Sequence, residues 1–249
     1  MMRIIWDNAW DKYTITASSE ASGYPAANIQ DISREVVTRS TGDTSEWWKI
    51  GDGVTKIKMS SIAVLNHNFT DGATVTLQGN DTDSWGAPSK EETITYNADI
   101  MTKFFTGGEY YYWRLLVADA SNPDEYIEIG RLEGGEYLQM PPIEPGLTYP
   151  KITTSTREFT VTGQVYGDKG RIHRTPGFAF PIIEDDERVD IDEMFDGVHN
   201  IKPVVLVVYE NSLDVLPALY CVIDQEELPW QKAVDRLAWS LSLKFREVF

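Results

Sequence analysis

In residues 236–248, RLAWSLSLKFREV, apolar and polar side chains alternate almost without a break. Leu237, Trp239, Leu241, Leu243 and Phe245 take one face, and Ala238, Ser240, Ser242, Lys244 and Arg246 take the other. A period of two puts successive side chains on opposite sides of a strand, so this segment predicts a half-buried β-strand. The same pattern recurs in the first half: WWKIG (47–51), KIKMSSIAVLNH (56–67), ATVTLQGN (73–80), EETITYN (91–97), YYWRLLVAD (111–119) and EYIEIGRLEGG (125–135). Asp- and Gly-rich turns separate these runs, and strong helical periodicity is absent. Many short strands predict an all-β fold of the sandwich or jelly-roll kind.

The second half reads as strand at REFTVTGQVYG (157–167), with Phe159, Val161 and Val165 on one side, and at GFAFPII (177–183), KPVVLVVYE (202–210) and ALYCVIDQEE (218–227). One short helix is expected at DIDEMFDGV (190–198). Ile191, Met194, Phe195 and Val198 follow the i, i+3, i+4, i+7 spacing of an apolar stripe. Asp190 offers an N-cap with Glu193 as its partner, and Gly197 a stop. Between the halves, MPPIEPGLTYP (140–150) carries four prolines and a glycine, which oppose both helix and ladder pairing. The expected domains are therefore 1–140 and 151–249, with 141–150 as a Pro-rich linker.

The net charge is −17, and both halves are acidic. That opposes stable nucleic-acid binding, which needs basic patches. The longest strongly apolar run, PVVLVVY (203–209), falls far short of the ~20 residues that span a bilayer, so no membrane insertion is expected. MMRIIWDNAW lacks the basic start and apolar core of a signal peptide, which predicts a protein made in the cytoplasm. The single cysteine, Cys221, sits among apolar residues and reads as a small buried hydrophobe.

No enzyme motif appears: there is no G-x-S-x-G, H-E-x-x-H, P-loop or G-x-G-x-x-G. The protein is not expected to be an enzyme. His67, His173 and His199 have no second His or Cys at metal-ligand spacing. The acidic run EDDERVDIDE (184–193) fails the EF-hand pattern, because Met194 and Phe195 stand where positions 5 and 6 need an oxygen ligand and glycine. It reads as a solvated helix start favoured by the helix dipole. GDKGRIHRTPG (167–177) is locally basic. It suits either a hairpin turn at YGDKG or a contact with an acidic neighbouring subunit. The strand ending at Asn66-His67-Asn68 reads as a corner, since Asn side chains bond nearby backbone. A ligand-binding loop is the alternative.

The stretch ITASSEASGYPAANIQDISREVVTRST (15–41) resembles the opening of discoidin-like, galactose-binding-like jelly rolls. Ser18, Ser19, Tyr24, Pro25, Ala26, Asn28, Asp31 and Thr38-Arg39-Ser40 carry the likeness. WWKIG, SSIAVLNHNF and EIGRLEGGEYL extend it to about residue 140. The resemblance implies a sugar-binding rim, with Trp85, Tyr110, Tyr112 and His67 as candidates. In that family some members hold a structural calcium. Here Ile32 follows Asp31 where that loop has glycine, so no cofactor is expected.

The whole layout is similar to distal-tail or minor tail proteins of long-tailed bacteriophages. That likeness implies an N-terminal jelly roll followed by a tail-tube-like β-sandwich that assembles as a ring around the tail channel. Its implied partners are further copies of itself, neighbouring tail tube and tail-tip proteins, and a host surface glycan. Its implied location is the virion tail, after assembly in the host cytoplasm. A closed ring of identical subunits joins one patch to a different patch on the next copy. The candidate contact sets Arg171, His173 and Arg174 against Glu184, Asp185 and Asp186. The rival reading is a free lectin-like protein, and a third is the non-catalytic part of a glycan-processing enzyme.

Overall fold

The computed structural model describes residues 2–145, 147–209, 217–232 and 238–249. The chain forms two compact units. The first holds Met1–Gln139, Val204–Leu219 and Phe249, and the second holds Met140–Pro203 and Tyr220–Val248. Among the described residues the fold is all-β apart from two short 3-10 turns and one α-helix.

The first unit is a sandwich of two antiparallel sheets. One has four strands in the order Thr38–Arg39, Glu128–Gly135, Ile57–His67, Ile100–Tyr110. The other has five, in the order Thr16–Ala17, Glu46–Ile50, Tyr112–Ala118, Thr74–Asn80, Lys90–Ile94. Period-two alternation decides what each sheet buries. Trp48, Ile50, Val75, Leu77, Trp113, Leu115 and Val117 come from the five-stranded sheet. They share one core with Met59, Ile62, Val64, Met101, Ile129 and Leu132 of the other. Two inner faces meeting in this way are the sandwich arrangement that alternation predicts.

The chain's first strand, Arg3–Ile5, lies between Tyr137–Gln139 and Val204–Val207, antiparallel to both. Val204–Val207 is buried at every position, which explains an apolar run without alternation. Asn8 follows this first strand. It donates Nδ2 to the Leu132 carbonyl at 2.9 Å and accepts from the Gly134 and Trp10 amides at Oδ1. An ionic cluster of buried Arg131 and Glu133 with exposed Asp11 clamps the next turn. Arg131 donates Nε to Glu133 at 2.8 Å and a forked pair to Asp11 at 2.8 and 2.6 Å.

In the second unit, Trp239–Glu247 pairs with Gly177–Ile183 on one side and with Leu219–Ile223 on the other. Leu241, Leu243 and Phe245 are buried and Ser242, Lys244 and Arg246 exposed, as the alternation predicts. Leu237 lies outside the described residues. The helix, α1, runs Asp185–Val198, five residues longer at its start than the expected 190–198. Its N-cap is Glu184, not Asp190, and a capping box joins Glu184 to Glu187. The acids at 184–187 sit where the positive end of the dipole favours them. Gly197 stays inside the helix, and His199 takes the C-cap with φ +51°.

The reading of 157–167 as one strand is corrected. Glu158–Phe159 pairs back on Val165–Tyr166, and the chain reverses at 160–163, not at YGDKG. Gly163 takes φ +82°, which a residue with a Cβ resists. Below this hairpin Lys151–Thr153 pairs with Ile172–Arg174. Residues 151–174 thus form a two-stranded arm, exposed from Lys151 through Lys169.

Cys221 is fully buried, and burial pushes its thiol well above the ordinary value. A maleimide or disulfide reagent should leave it unlabelled in the native protein and label it on denaturation. Fast native labelling would contradict this burial.

Candidate functional site

The outer face of the five-stranded sheet is built by the same alternation that fills the core. In Glu46–Ile50, Trp48 and Ile50 point in, so Trp47 and Lys49 point out. In Tyr112–Ala118, Trp113, Leu115 and Val117 point in, so Tyr112, Arg114 and Leu116 point out. Register then aligns Lys49, Arg114, Gln78 and Glu91 in one row across four strands. Trp47 and Leu116 lie on one side of that row, and Tyr112 opposite Asn80 lies on the other.

The 81–89 loop closes over one end of the row. Trp85 lies 4.4 Å under the Arg114 guanidinium, measured to the ring centroid, and donates its indole N–H to Asp83 at 2.8 Å. Arg114 also donates Nε and a terminal nitrogen to the Gln78 carbonyl at 2.9 and 2.6 Å. Gln78 in turn donates to Glu91 at 2.7 Å. The Lys49 ammonium pairs with Asp83 and lies 5.5 Å from the Trp47 ring and 5.8 Å from Tyr112. Burial raises the Asp83 carboxyl, but hydrogen bonds from Lys49 and Trp85 outweigh it and hold it below the ordinary range. Burial lowers Arg114.

Gly51 and Gly53 make room for Tyr112. Gly51 has φ +129°, and a Cβ there would meet the Tyr111 carbonyl at 2.2 Å and the Tyr112 ring at 2.8 Å. A Cβ on Gly53 would meet the Tyr112 hydroxyl at 2.5 Å. The result is three half-buried aromatic rings, two cations, two acids and an amide on one sheet face. Apolar sugar C–H groups stack on such rings, and hydroxyls bond to such charged side chains.

The structure therefore brings Trp85 and Tyr112 together and leaves the other two sugar candidates elsewhere. Tyr110 packs against the core, edge-on to Trp113 with centroids 5.4 Å apart. His67 turns the strand end. Its Nε2 meets the Asn97 carbonyl at 3.0 Å, and its Nδ1 accepts from the Phe69 amide at 3.2 Å. Burial lowers its pKa. Asn66 and Asn68 bond the backbone of Arg34, Tyr126 and Glu128. Sequence reasoning misses Trp47, Lys49, Gln78 and Arg114, although the parity of EWWKI and YWRLLVA already sets three of them opposite the core residues.

Of the interface candidates, Arg174 is engaged inside its own unit. It forks onto Glu247, with nitrogens 2.9 and 2.7 Å from the two carboxylate oxygens. Asp185 accepts from the Trp239 indole at 2.8 Å, Glu184 caps α1, and Asp186 accepts from the Glu187 amide. His173 is half-buried opposite Ile152, and Arg171 is exposed on the arm. Among the described residues no group of three or more His, Cys, Asp or Glu is placed to hold a metal. A groove of about 350 Å³ on the second unit, beside Phe180, Pro181, Pro229 and Leu241, has one ionisable side chain, Glu144.

No family model matches the chain, and no curated protein matches it in sequence. Its structure is similar to several solved modules. Chitosan-binding module 1 of a chitosanase/glucanase from Paenibacillus sp. IK-5 aligns at 19% identity and TM-score 0.42, over 52% of this chain and 98% of that one. The lectin domain of lectinolysin, solved with Lewis B antigen, aligns at 16% identity and TM-score 0.41, over 51% and 95%. The family 32 carbohydrate-binding module of C. perfringens NanJ, solved with galactose, aligns at 16% and 0.42, over 55% and 99%.

Proposed function

We propose that the protein is a glycan-binding protein without catalytic activity, and that its first unit holds a sugar on the outer face of the five-stranded sheet. The observation that carries this is the ring of Trp47, Trp85 and Tyr112 around the Lys49–Arg114–Gln78–Glu91 row. Aromatic surface with a few well-fixed polar groups is the composition of a small-ligand site. The polar groups are already bonded to one another, so a sugar would find their geometry set before it arrives.

Titration of the full chain against a glycan panel tests this reading. Trp85→Ala, Trp47→Ala and Tyr112→Ala should each weaken binding by roughly tenfold or more. Tyr110→Phe and His67→Asn, away from the face, should leave it unchanged. A panel with no binder, or a binder indifferent to all three aromatic changes, would remove the proposal.

The second reading, a ring-forming component of a bacteriophage tail, concerns the second unit. Of that reading, the exposed arm of residues 151–174 supports the subunit contact alone and nothing specific to a phage tail.

A further inference from the structure

The arm is too poorly covered to be complete alone. An isolated two-stranded hairpin is marginally stable in water, and three strands or a packed face are needed to hold one. Here Phe159 and Val165 are direct cross-strand partners and lie on one face. Phe159 is 65% exposed and Val165 60%, and Val161 at the turn is fully exposed. The other face carries Tyr166, and Ile172 is exposed further down. Charge separates the arm from the rest of the molecule. Residues 151–174 hold five Lys and Arg against two acids, in a chain of net charge −17.

The complementary surface is on α1. Helical spacing puts Asp186, Val189, Asp190 and Glu193 on one exposed side. Val189 is 62% exposed amid those acids. It is an apolar spot rimmed by negative charge, while the arm is an apolar pair with Arg157 beside it and Lys169 four residues beyond Val165. The Arg157 guanidinium already lies 5.7 Å from the Phe159 ring.

We infer that the arm docks on the acid-rimmed face of α1 in a second copy of this chain. Phe159 and Val165 cover Val189, and Arg157 and Lys169 meet Asp186 and Glu193. One patch meets a different patch, so each copy has both a donor arm and a receiving helix. Such an interface propagates into a ring or an open chain. The inference is independent of the glycan reading, which concerns the other unit. Arg174 is held by Glu247, so reversing its charge disturbs folding rather than this contact.

The test is sedimentation velocity of the full chain over a wide concentration range, with negative-stain images of the same samples. Wild type should self-associate as concentration rises. Phe159→Glu with Val165→Glu should weaken association roughly tenfold or more, and Arg157→Glu with Lys169→Glu should do the same. Adding Asp186→Arg and Glu193→Arg to the charge-reversed arm should restore association. That rescue also excludes misfolding as the cause of the loss. A wild-type monomer at every concentration would overturn the inference, even if the arm then bound heparin as a simple polyanion. So would association indifferent to the arm variants, or a loss that the helix reversal does not restore.

Discussion

Replacing Arg131 by methionine is expected to destabilise the first unit by about 3–5 kcal/mol. Arg131 is 2% exposed and forks onto Asp11 while bonding Glu133, which is 1% exposed. Methionine fills most of the volume but leaves Glu133 without its cation. An unpaired carboxylate in that position must either protonate or unfold its surroundings. Hydrogen exchange should show the loss on Glu128–Gly135 and on the Ala9–Asp11 turn that Arg131 holds. Unchanged protection there would show that the cluster carries no such weight.

The same cluster fixes the sign of a pH effect. Burial lifts the Glu133 carboxyl to about 7 against an ordinary 4.5, with Arg131 opposing the rise. Between those values the native state keeps a proton that the unfolded state has lost. This contribution is therefore fully present below about pH 4.5 and disappears as pH climbs through 7, a span of about 3 kcal/mol. Glu133→Gln should flatten that slope and leave the protein more stable than wild type at pH 8. Denaturation midpoints at pH 5 and pH 8 measure it. His67 runs the other way. Its lowered pKa means stability lost as pH falls below about 6.5, so the two effects oppose each other near pH 6.

The sandwich is legible because alternation is a local signal. YWRLLVA states in seven letters which side chains go in and which go out, and the structure follows it. Two segments mislead for physical reasons. REFTVTGQVYG alternates well, yet it folds back on itself, because Gly163 permits a turn that the apolar pattern conceals. The N-cap of α1 is misplaced because the apolar stripe begins only at Ile191: the acids at 184–193 read as a solvated helix start, but only the capping box sets the cap at Glu184 rather than Asp190. The pairing of Arg3–Ile5 with Val204–Val207 joins segments some two hundred residues apart, and no local pattern announces such a partner.

The candidate face is half legible. Trp85 and Tyr112 stand out as aromatics in polar company, but so does Tyr110, and only the register separates them. Tyr110 ends its strand packed against the core, whereas Tyr112 begins the next strand pointing out. Lys49 and Arg114 escape notice because a lone charge in a strand looks like ordinary surface. Their significance depends on Gln78 and Asp83, which the fold brings from 36 and 34 residues away in sequence.

Trp113→Ala should cost about 3–5 kcal/mol and remove the proposed glycan binding with it. The ring is fully buried, and its indole donates to the Ile57 carbonyl at 2.9 Å. Truncation leaves a cavity between the sheets, and the Ile57 carbonyl loses that donor. The consequence for function follows from strand geometry. Trp113 sits between Tyr112 and Arg114, so the inward ring that anchors the core also sets the pitch of the two outward side chains. Trp113→Phe keeps most of the apolar volume and forfeits the hydrogen bond, so it should cost about half as much and bind sugar nearly normally. Thermal melting paired with glycan titration separates the cases. If Trp113→Ala melted like wild type, the core would not be the support of this face. If Trp113→Phe folded but lost binding, the indole hydrogen bond, rather than ring volume, would be what aligns Tyr112 and Arg114.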